Sequence, residues 1–124
     1  MNVSAPCRIV TMTAECLGVE YDFKVVDMFA GEHMQPEFLE MNPMHNLPTM
    51  VDGEFVMNES RAIAAYLVNK YGEDDKLYPK DAELRARVDQ RLYFDMGVFY
   101  KVRIVTSLQK LIVYYRHLVS VSSQ

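Results

Sequence analysis

Residues 46–63 read NLPTMVDGEFVMNESRAI and place a proline, a tight turn and a helix start within one short stretch. The apolar segments 49–51 and 54–57 flank Asp52 and Gly53, two residue types that tolerate positive φ. Apolar runs on either side of such a dipeptide are typical of a β-hairpin. The sequence therefore predicts a hairpin with a two-residue turn at Asp52 and Gly53.

A helix is predicted directly after the hairpin. Polar and acidic residues precede the segment 61–70, and Gly72 follows it, as expected for the start and the end of a helix. Apolar and aromatic residues recur at helical spacing and predict a buried stripe of Ile63, Tyr66, Leu67 and Tyr71.

The residues before the hairpin predict a helix and a strand. Ser4 is a favoured N-cap residue and Pro6 is favoured in a first turn, so a helix is expected over residues 6–17, ending at Gly18. The β-branched and aromatic residues of the segment 21–28 predict a strand.

Two shorter segments complete this part of the chain. Residues 30–35 are expected to form a loop, and residues 36–41 a short helix that stops at Asn42. With residues 1–3 as a short first strand, the order of elements predicts an α/β fold that begins with a parallel βαβ unit and ends with the hairpin.

The chain after Gly72 has a different character. Residues 73–80 are polar and are predicted to be a linker between a domain at 1–72 and a helical segment at 81–124. Asp81 is predicted to cap a long helix, whose apolar face would be formed by Leu84, Val88, Leu92, Met96 and Phe99. Beyond Tyr100 the period blurs, and the segment 112–115 fits a strand as well as a helix.

Composition excludes several classes of function. The 124 residues carry a formal net charge of −4, which argues against nucleic acid as a partner. No apolar run approaches the ~18 residues that a membrane span needs, and no secretory signal is recognisable. Two cysteines are too few for a disulfide scaffold, so a reducing, cytoplasmic location is expected. His33 and His45 belong to no metal-ligand pattern, and no metal or other cofactor is expected.

Charge is unevenly distributed along the chain. Residues 1–100 hold all 17 acidic residues, whereas residues 101–124 hold four basic residues and no acidic one. This break in composition indicates that the last segment differs in origin or role from the rest.

Three short constellations could carry chemistry. Ser4 lies three residues before Cys7 at a helix start, where a serine hydroxyl could stabilise a bound thiolate or could simply cap the helix. The peptide bond before Pro48 is a candidate cis bond, although an ordinary trans proline is the alternative. Glu59 and Ser60 begin a helix that could receive a zwitterionic amino-acid head group, or they could be a solvated capping turn.

These constellations, taken in order, resemble the glutathione transferases, and most closely the insect delta and epsilon classes. The likeness covers about residues 4–100 and is specific as an ordered set. It is carried by the strings SAPCR (4–8), GEH (31–33), PEFL (36–39), NPMHNLPTMVD (42–52), ESRAI (59–63), LYPK (77–80) and QRLYFDMG (90–97).

The resemblance implies a thioredoxin-like N-terminal domain followed by the start of an all-helical domain. It implies a cytoplasmic, homodimeric transferase of detoxification that conjugates reduced glutathione, its co-substrate, to small hydrophobic electrophiles. Ser4 would hydrogen-bond the glutathione sulfur and favour its thiolate. The residues implied to bind glutathione are His33, His45, Leu47, Pro48, Glu59, Ser60 and Arg61, while Cys7 would be structural.

The chain also departs from the family pattern. Val3 takes the place of a glycine at the end of the family's first strand, and Asn58 stands where an aromatic residue is common. The likeness stops near Tyr100, so the chain is expected to be truncated at both ends. This leaves two alternatives: a non-catalytic glutathione-binding or dimerisation module, and a glutaredoxin-like disulfide reductase, which Ser4 in the nucleophile position disfavours.

Overall fold

The computed structural model describes residues 4–102, and the chain divides after Lys80 into two units. The first unit holds two strands and three α-helices, with a single 3₁₀ turn before the second helix. Its elements are α1 (Ala5–Cys16), the 3₁₀ turn (Glu32–Met34), α2 (Pro36–Met41), β1 (Thr49–Asp52), β2 (Phe55–Asn58) and α3 (Ser60–Tyr71). The second unit begins with α4 (Ala82–Phe94), which continues into a π-helical turn (Asp95–Phe99).

Helix α1 begins and ends as its sequence predicts, with bounds shifted by one residue. The Ser4 hydroxyl accepts a hydrogen bond from the backbone N–H of Cys7 at 3.4 Å, and so caps the first turn. At the other end, Gly18 has a φ of +66°, which glycine adopts without a steric penalty. The Val19 N–H donates to the Ala14 carbonyl at 3.0 Å, closing the helix in the manner of a Schellman motif.

The predicted hairpin is confirmed, but its turn lies one residue further along the chain. Strands β1 and β2 are antiparallel, and Asp52 pairs with Phe55, so Gly53 and Glu54 form the turn. Gly53 has a φ of +63° at the first turn position, as in type II′ hairpins. Asp52 remains in the strand because its side chain is hydrogen-bonded to α3, as described below.

The core of the first unit lies between α1, α3 and one face of the hairpin. Ile63 is completely buried, and Leu67 and Ala14 are almost so. Met50 and Met57 face each other across the hairpin and pack against this cluster. The predicted stripe on α3 is therefore confirmed at Ile63 and Leu67, whereas its two tyrosines lie nearer the surface.

The strand predicted over residues 21–28 is wrong. The described residues form one antiparallel strand pair and no parallel pair, so the predicted βαβ start is not found there either. A strand requires a hydrogen-bonded neighbour, and the neighbour expected for this segment was residues 1–3, which lie outside the described part. Without a ladder, Val25 within the segment is 79 % exposed, and Phe29, directly after it, is fully exposed.

Residues 30–42, which lie between that segment and the hairpin, agree more closely with the prediction. A single 3₁₀ turn interrupts the predicted loop at residues 32–34, and the short helix over residues 36–41 is confirmed as α2. The N–H of Asn42 donates to the Phe38 carbonyl at 2.7 Å and ends that helix.

The second unit starts with the predicted capped helix. The Asp81 carboxylate accepts hydrogen bonds from the N–H groups of Glu83 and Leu84 at 3.1 and 3.0 Å. No side chain between residues 82 and 102 is buried, so the predicted apolar face is exposed over most of its length. The predictions for residues 103–124 lie outside the described residues. Within residues 4–102, no helix is long and apolar enough to cross a membrane.

Candidate functional site

Ser4 lies at the N-terminus of α1, where the first N–H groups of the helix point outward. The side chain is half-buried, and its oxygen accepts only a long hydrogen bond from the Cys7 N–H, at 3.4 Å. The hydroxyl proton of a serine that accepts such a bond remains available as a donor. A negatively charged atom placed at this helix start would meet both the hydroxyl and the positive end of the helix dipole.

The hairpin brings two of the predicted site segments to one end. Thr49 begins β1 and pairs with Asn58, the last residue of β2. Pro48 therefore lies beside Glu59, because each is the next residue outside that pair. The Leu47–Pro48 peptide bond is cis, as the sequence allowed.

Glu59 adopts a backbone conformation that is uncommon for its residue type. Its φ of +70° lies in the left-handed region, and the residue is exposed at the start of α3. Such conformations cost of order 1–3 kcal/mol and concentrate at ligand-binding sites. The carbonyl of Glu59 nevertheless accepts the Ile63 N–H at 2.9 Å, so the strained residue is held by the first turn of the helix.

The next two residues of α3 are linked to each other. Ser60 is only 3 % exposed, and its Oγ accepts a hydrogen bond from Arg61 Nη1 at 2.9 Å. A serine hydroxyl can accept this bond and still donate its own proton to a ligand oxygen. The guanidinium group adds a positive charge at the same helix start.

The two predicted histidines come together in the structure. Their ring centroids lie 6.1 Å apart, and His45 has a positive φ of 42° in the loop before the hairpin. His33 Nδ1 is buried, and within the described part of the chain it has no hydrogen-bond partner. An imidazole nitrogen in this position can donate or accept one further hydrogen bond.

One residue that the sequence analysis did not predict, Asn42, holds the loop before the hairpin in place. Asn42 is only 4 % exposed, and its Nδ2 donates to the Asn46 carbonyl, Asn46 Oδ1 and Thr49 Oγ1 at 3.1, 3.0 and 2.8 Å. Its Oδ1 accepts from the Met44 N–H at 3.1 Å and from Asn58 Nδ2 at 3.2 Å. We call these five hydrogen bonds the Asn42 network. The asparagine two residues before Met44 is an Asx-turn signal that the sequence did offer.

A second cluster, also missed, ties the opposite end of the hairpin to α3. Asp52 Oδ2 accepts hydrogen bonds from Tyr66, Lys70 and Tyr71 at 2.8, 2.8 and 2.6 Å. The Lys70 ammonium, then the two tyrosine hydroxyls, lower the pKa of Asp52 to about 2. The same bond to Asp52 raises the pKa of Lys70, and Asp52 also raises that of Tyr71. We call these four residues the Asp52 cluster.

The described residues do not form a metal-binding site. Between residues 4 and 102, no group of three or more histidine, cysteine or acidic side chains is placed to hold a metal ion. Cys7 and Cys16 are both free thiols, one half-buried and one exposed.

The first unit, a hairpin flanked by helices with a cis-proline loop leading into it, is similar to the thioredoxin-like N-terminal domain of glutathione transferases. Residues 3–70 match the family described as "Glutathione S-transferase, N-terminal domain". The chain belongs to the glutathione transferase family.

Solved structures of insect glutathione transferases are similar to this chain. A delta-class glutathione transferase of Nilaparvata lugens is 55 % identical with a TM-score of 0.77; the match covers 79 % of this chain and 46 % of that one. An epsilon-class enzyme of the housefly Musca domestica is 41 % identical with a TM-score of 0.80, covering 94 % and 53 %. A homologue from Drosophila mojavensis, solved with bound glutathione, is 46 % identical with a TM-score of 0.76, covering 79 % and 45 %.

The chain therefore spans about half the length of these solved relatives. The family and the insect delta and epsilon likeness, predicted from the ordered motifs, are confirmed. The part played by each site residue remains a prediction.

Proposed function

We propose that this chain binds reduced glutathione at the end of the hairpin that carries Pro48 and Glu59. The observation that carries the proposal is the pairing of Thr49 with Asn58, which sets the cis Leu47–Pro48 segment beside the start of α3. A homologue of similar fold was solved with glutathione bound, which supports the same ligand here.

Each part of glutathione has a matching group at this end of the hairpin. The backbone of Leu47 would pair with the cysteinyl residue, as an edge strand pairs with an extended peptide. Glu59 would meet the ammonium group of the γ-glutamyl head, and the Ser60 hydroxyl would donate to its carboxylate at the start of α3.

The remaining carboxylate of glutathione would lie near the two histidines. His33 Nδ1 is buried, and a carboxylate oxygen is a partner that an imidazole N–H can bond. His45 lies near His33, and Arg61 adds a positive charge at the start of α3. The two histidines would select a peptide with a free carboxylate at this end, whereas Arg61, bonded to Ser60, would add its charge at the γ-glutamyl end.

We further propose that the chain conjugates glutathione to small hydrophobic electrophiles, with Ser4 as the catalytic residue. The Ser4 hydroxyl would donate a hydrogen bond to the sulfur and favour the thiolate. The thiolate lone pair would form a carbon–sulfur bond while the electrophile either releases a leaving group with its bonding electron pair or, in an addition to a double bond, takes up a proton to replace the one that the thiol lost. A free thiol has a pKa of about 8.5, and lowering it by ~2 units would ionise most of the thiol at neutral pH, a contribution near 2.7 kcal/mol.

The test of this mechanism is Ser4→Ala, assayed for conjugation and for glutathione binding. We expect kcat to fall by more than tenfold while the dissociation constant of glutathione changes little. Since Ser4 also caps α1, its loss costs about 0.5–2 kcal/mol of helix stability. Asp81→Ala is the matched control because it removes the cap of α4 and leaves Ser4 in place. An unchanged kcat in Ser4→Ala would remove Ser4 from the mechanism.

A second candidate is a non-catalytic module that binds glutathione or a partner copy without turnover. It is favoured by the second unit, in which no side chain between residues 82 and 102 is buried. Saturable glutathione binding with no conjugation of any electrophile would support this module over the transferase.

We also propose a cellular location, an oligomeric state and a role for this chain. By likeness to its family we propose a cytoplasmic homodimer with a role in detoxification and no cofactor other than glutathione as co-substrate. Sedimentation of the purified chain would give the oligomeric state directly, and a monomer at all concentrations would contradict the dimer.

A further inference from the structure

The Asn42 network joins two segments that are separate in sequence. On one side, Asn46 and Thr49 bracket the Leu47–Pro48 segment, and both accept from Asn42 Nδ2. On the other side, Asn58 directly precedes Glu59, and its Nδ2 donates to Asn42 Oδ1 at 3.2 Å. One buried amide is thus hydrogen-bonded to residues that flank both segments that we propose to bind glutathione.

The network leaves Asn42 little freedom to move. Its amide nitrogen and its oxygen both take part, and the side chain is 4 % exposed. When a buried amide loses a hydrogen-bond partner, the unpaired group stays desolvated, which destabilises the folded state. Such networks therefore favour a single geometry. The bond that spans the greatest sequence separation in this network, 16 residues, is the one to Asn58.

Asn58 supplies a donor where a purely aromatic side chain would have none. Its position at the end of β2, paired with Thr49, points its amide at Asn42 from the strand that leads into α3. Removing that amide deletes the side-chain bond between the end of β2 and the loop, while the strand pairing of Asn58 with Thr49 and the bonds from Asn42 to Asn46 and Thr49 remain.

We propose that Asn42 and Asn58 are positioning residues whose amide pair sets the spacing between the Leu47–Pro48 backbone and the Glu59–Ser60 pair, and thereby sets the affinity for glutathione. This inference rests on the proposed function. Neither residue touches glutathione in this scheme. Both act through the segments that they hold.

The experiment is a double-mutant cycle on the full 124-residue chain, with the dissociation constant of reduced glutathione measured by calorimetry and Tm measured in parallel. Loss of one hydrogen bond changes an equilibrium constant by about two- to tenfold. We therefore expect Asn58→Ala to weaken glutathione binding by about that factor with a small change in Tm. Gln90→Ala, an exposed amide on α4, is the control and should change neither quantity.

The coupling between the two residues gives the sharper readout. In an Asn42→Ala background, Asn58→Ala should weaken binding no further, because its acceptor is already gone. Asn58→Leu, which keeps the side-chain volume and removes the donor, should weaken binding about as much as Asn58→Ala. Because it leaves Asn42 and its bonds to Asn46 and Thr49 in place, it keeps the test usable if Asn42→Ala fails to fold.

Four outcomes would overturn the inference. Unchanged affinity in a folded Asn58→Ala chain, or equal effects of Asn58→Ala in the wild-type and Asn42→Ala backgrounds, would refute positioning and leave the proposed function standing. A fall in Tm without a change in affinity would assign the network to stability alone. A folded wild-type chain that binds no glutathione would refute the proposed function and the inference with it.

Discussion

The two ends of the hairpin are held against the rest of the first unit by different interactions: neutral hydrogen bonds at one end and a charged cluster at the other. The end that carries Pro48 and Glu59 is held by the Asn42 network, which is neutral and centred on a buried amide. The turn end is held by the Asp52 cluster, in which Lys70 is 44 % exposed and Asp52 is 19 % exposed. The proposed binding end therefore keeps its geometry without titrating groups, whereas the turn end depends on charge.

Both ends rest on the same core, so the largest effect is expected from Ile63→Ala. Ile63 is completely buried between α1 and α3, and truncation of such a side chain costs about 2–5 kcal/mol through lost transfer energy and a cavity. Chemical denaturation should show this loss, together with weaker glutathione binding because both hairpin ends shift. Val25→Ala, at a side chain that is 79 % exposed, should change stability little, and an equal loss there would contradict the assigned core.

Asp52→Asn should separate stability from binding. The substitution removes the charge that pairs with Lys70 and leaves one neutral amide oxygen, a weaker acceptor, for the three donors, so Tm should fall. Glutathione affinity should stay close to that of the wild type, since the Asn42 network at the other end is untouched. A loss of affinity as large as that of Asn58→Ala would show that the two ends are not independent.

The same cluster predicts a pH dependence of stability. Asp52 has its pKa lowered from 3.8 to about 2 in the folded chain, so the folded state favours the ionised carboxylate. Its stabilising contribution is fully present above the unfolded pKa and is lost as the pH falls from about 4 through 2. The difference in stability between wild type and Asp52→Asn should therefore shrink over that range, and a constant difference would contradict the cluster.

The smallest effect is expected at the turn itself. Gly53 has a φ of +63°, and no atom lies within 4 Å of the position that a Cβ would take, so Gly53→Ala tests backbone conformation alone. The left-handed conformation costs a non-glycine residue roughly 1–2 kcal/mol. Thermal unfolding should show a loss of that size with glutathione affinity unchanged. A variant as stable as the wild type would mean that the turn changes its conformation at no cost.

Local signals in the sequence predicted the elements that depend on local chemistry. The capped start of α1, the hairpin and the helix after it each follow from turn and cap residues within a few positions of one another. The segment 21–28 has the composition of a strand, yet a strand also needs a distant partner, which composition does not provide. For the same reason the family resemblance, and not periodicity, identified the domain.

Only part of the candidate site could be predicted from the sequence. Ser4, the cis Leu47–Pro48 bond and the Glu59–Ser60 pair are short motifs, and the structure places the last two at one end of the hairpin. The Asn42 network was not predicted, because its bonds join residues up to 16 positions apart through side-chain amides. The sequence predicts Asp52 as a turn residue, because no neighbouring residue indicates its contacts with α3.

The first measurement is a calorimetric titration of the purified 124-residue chain with reduced glutathione, and in parallel with cysteinylglycine. If the hairpin end and the start of α3 form the binding site, glutathione should bind saturably at one site. Cysteinylglycine should bind at least tenfold more weakly, because it lacks the γ-glutamyl head that Glu59 and Ser60 would hold. Equal binding of the two peptides, or no binding of glutathione by the folded chain, would contradict this site.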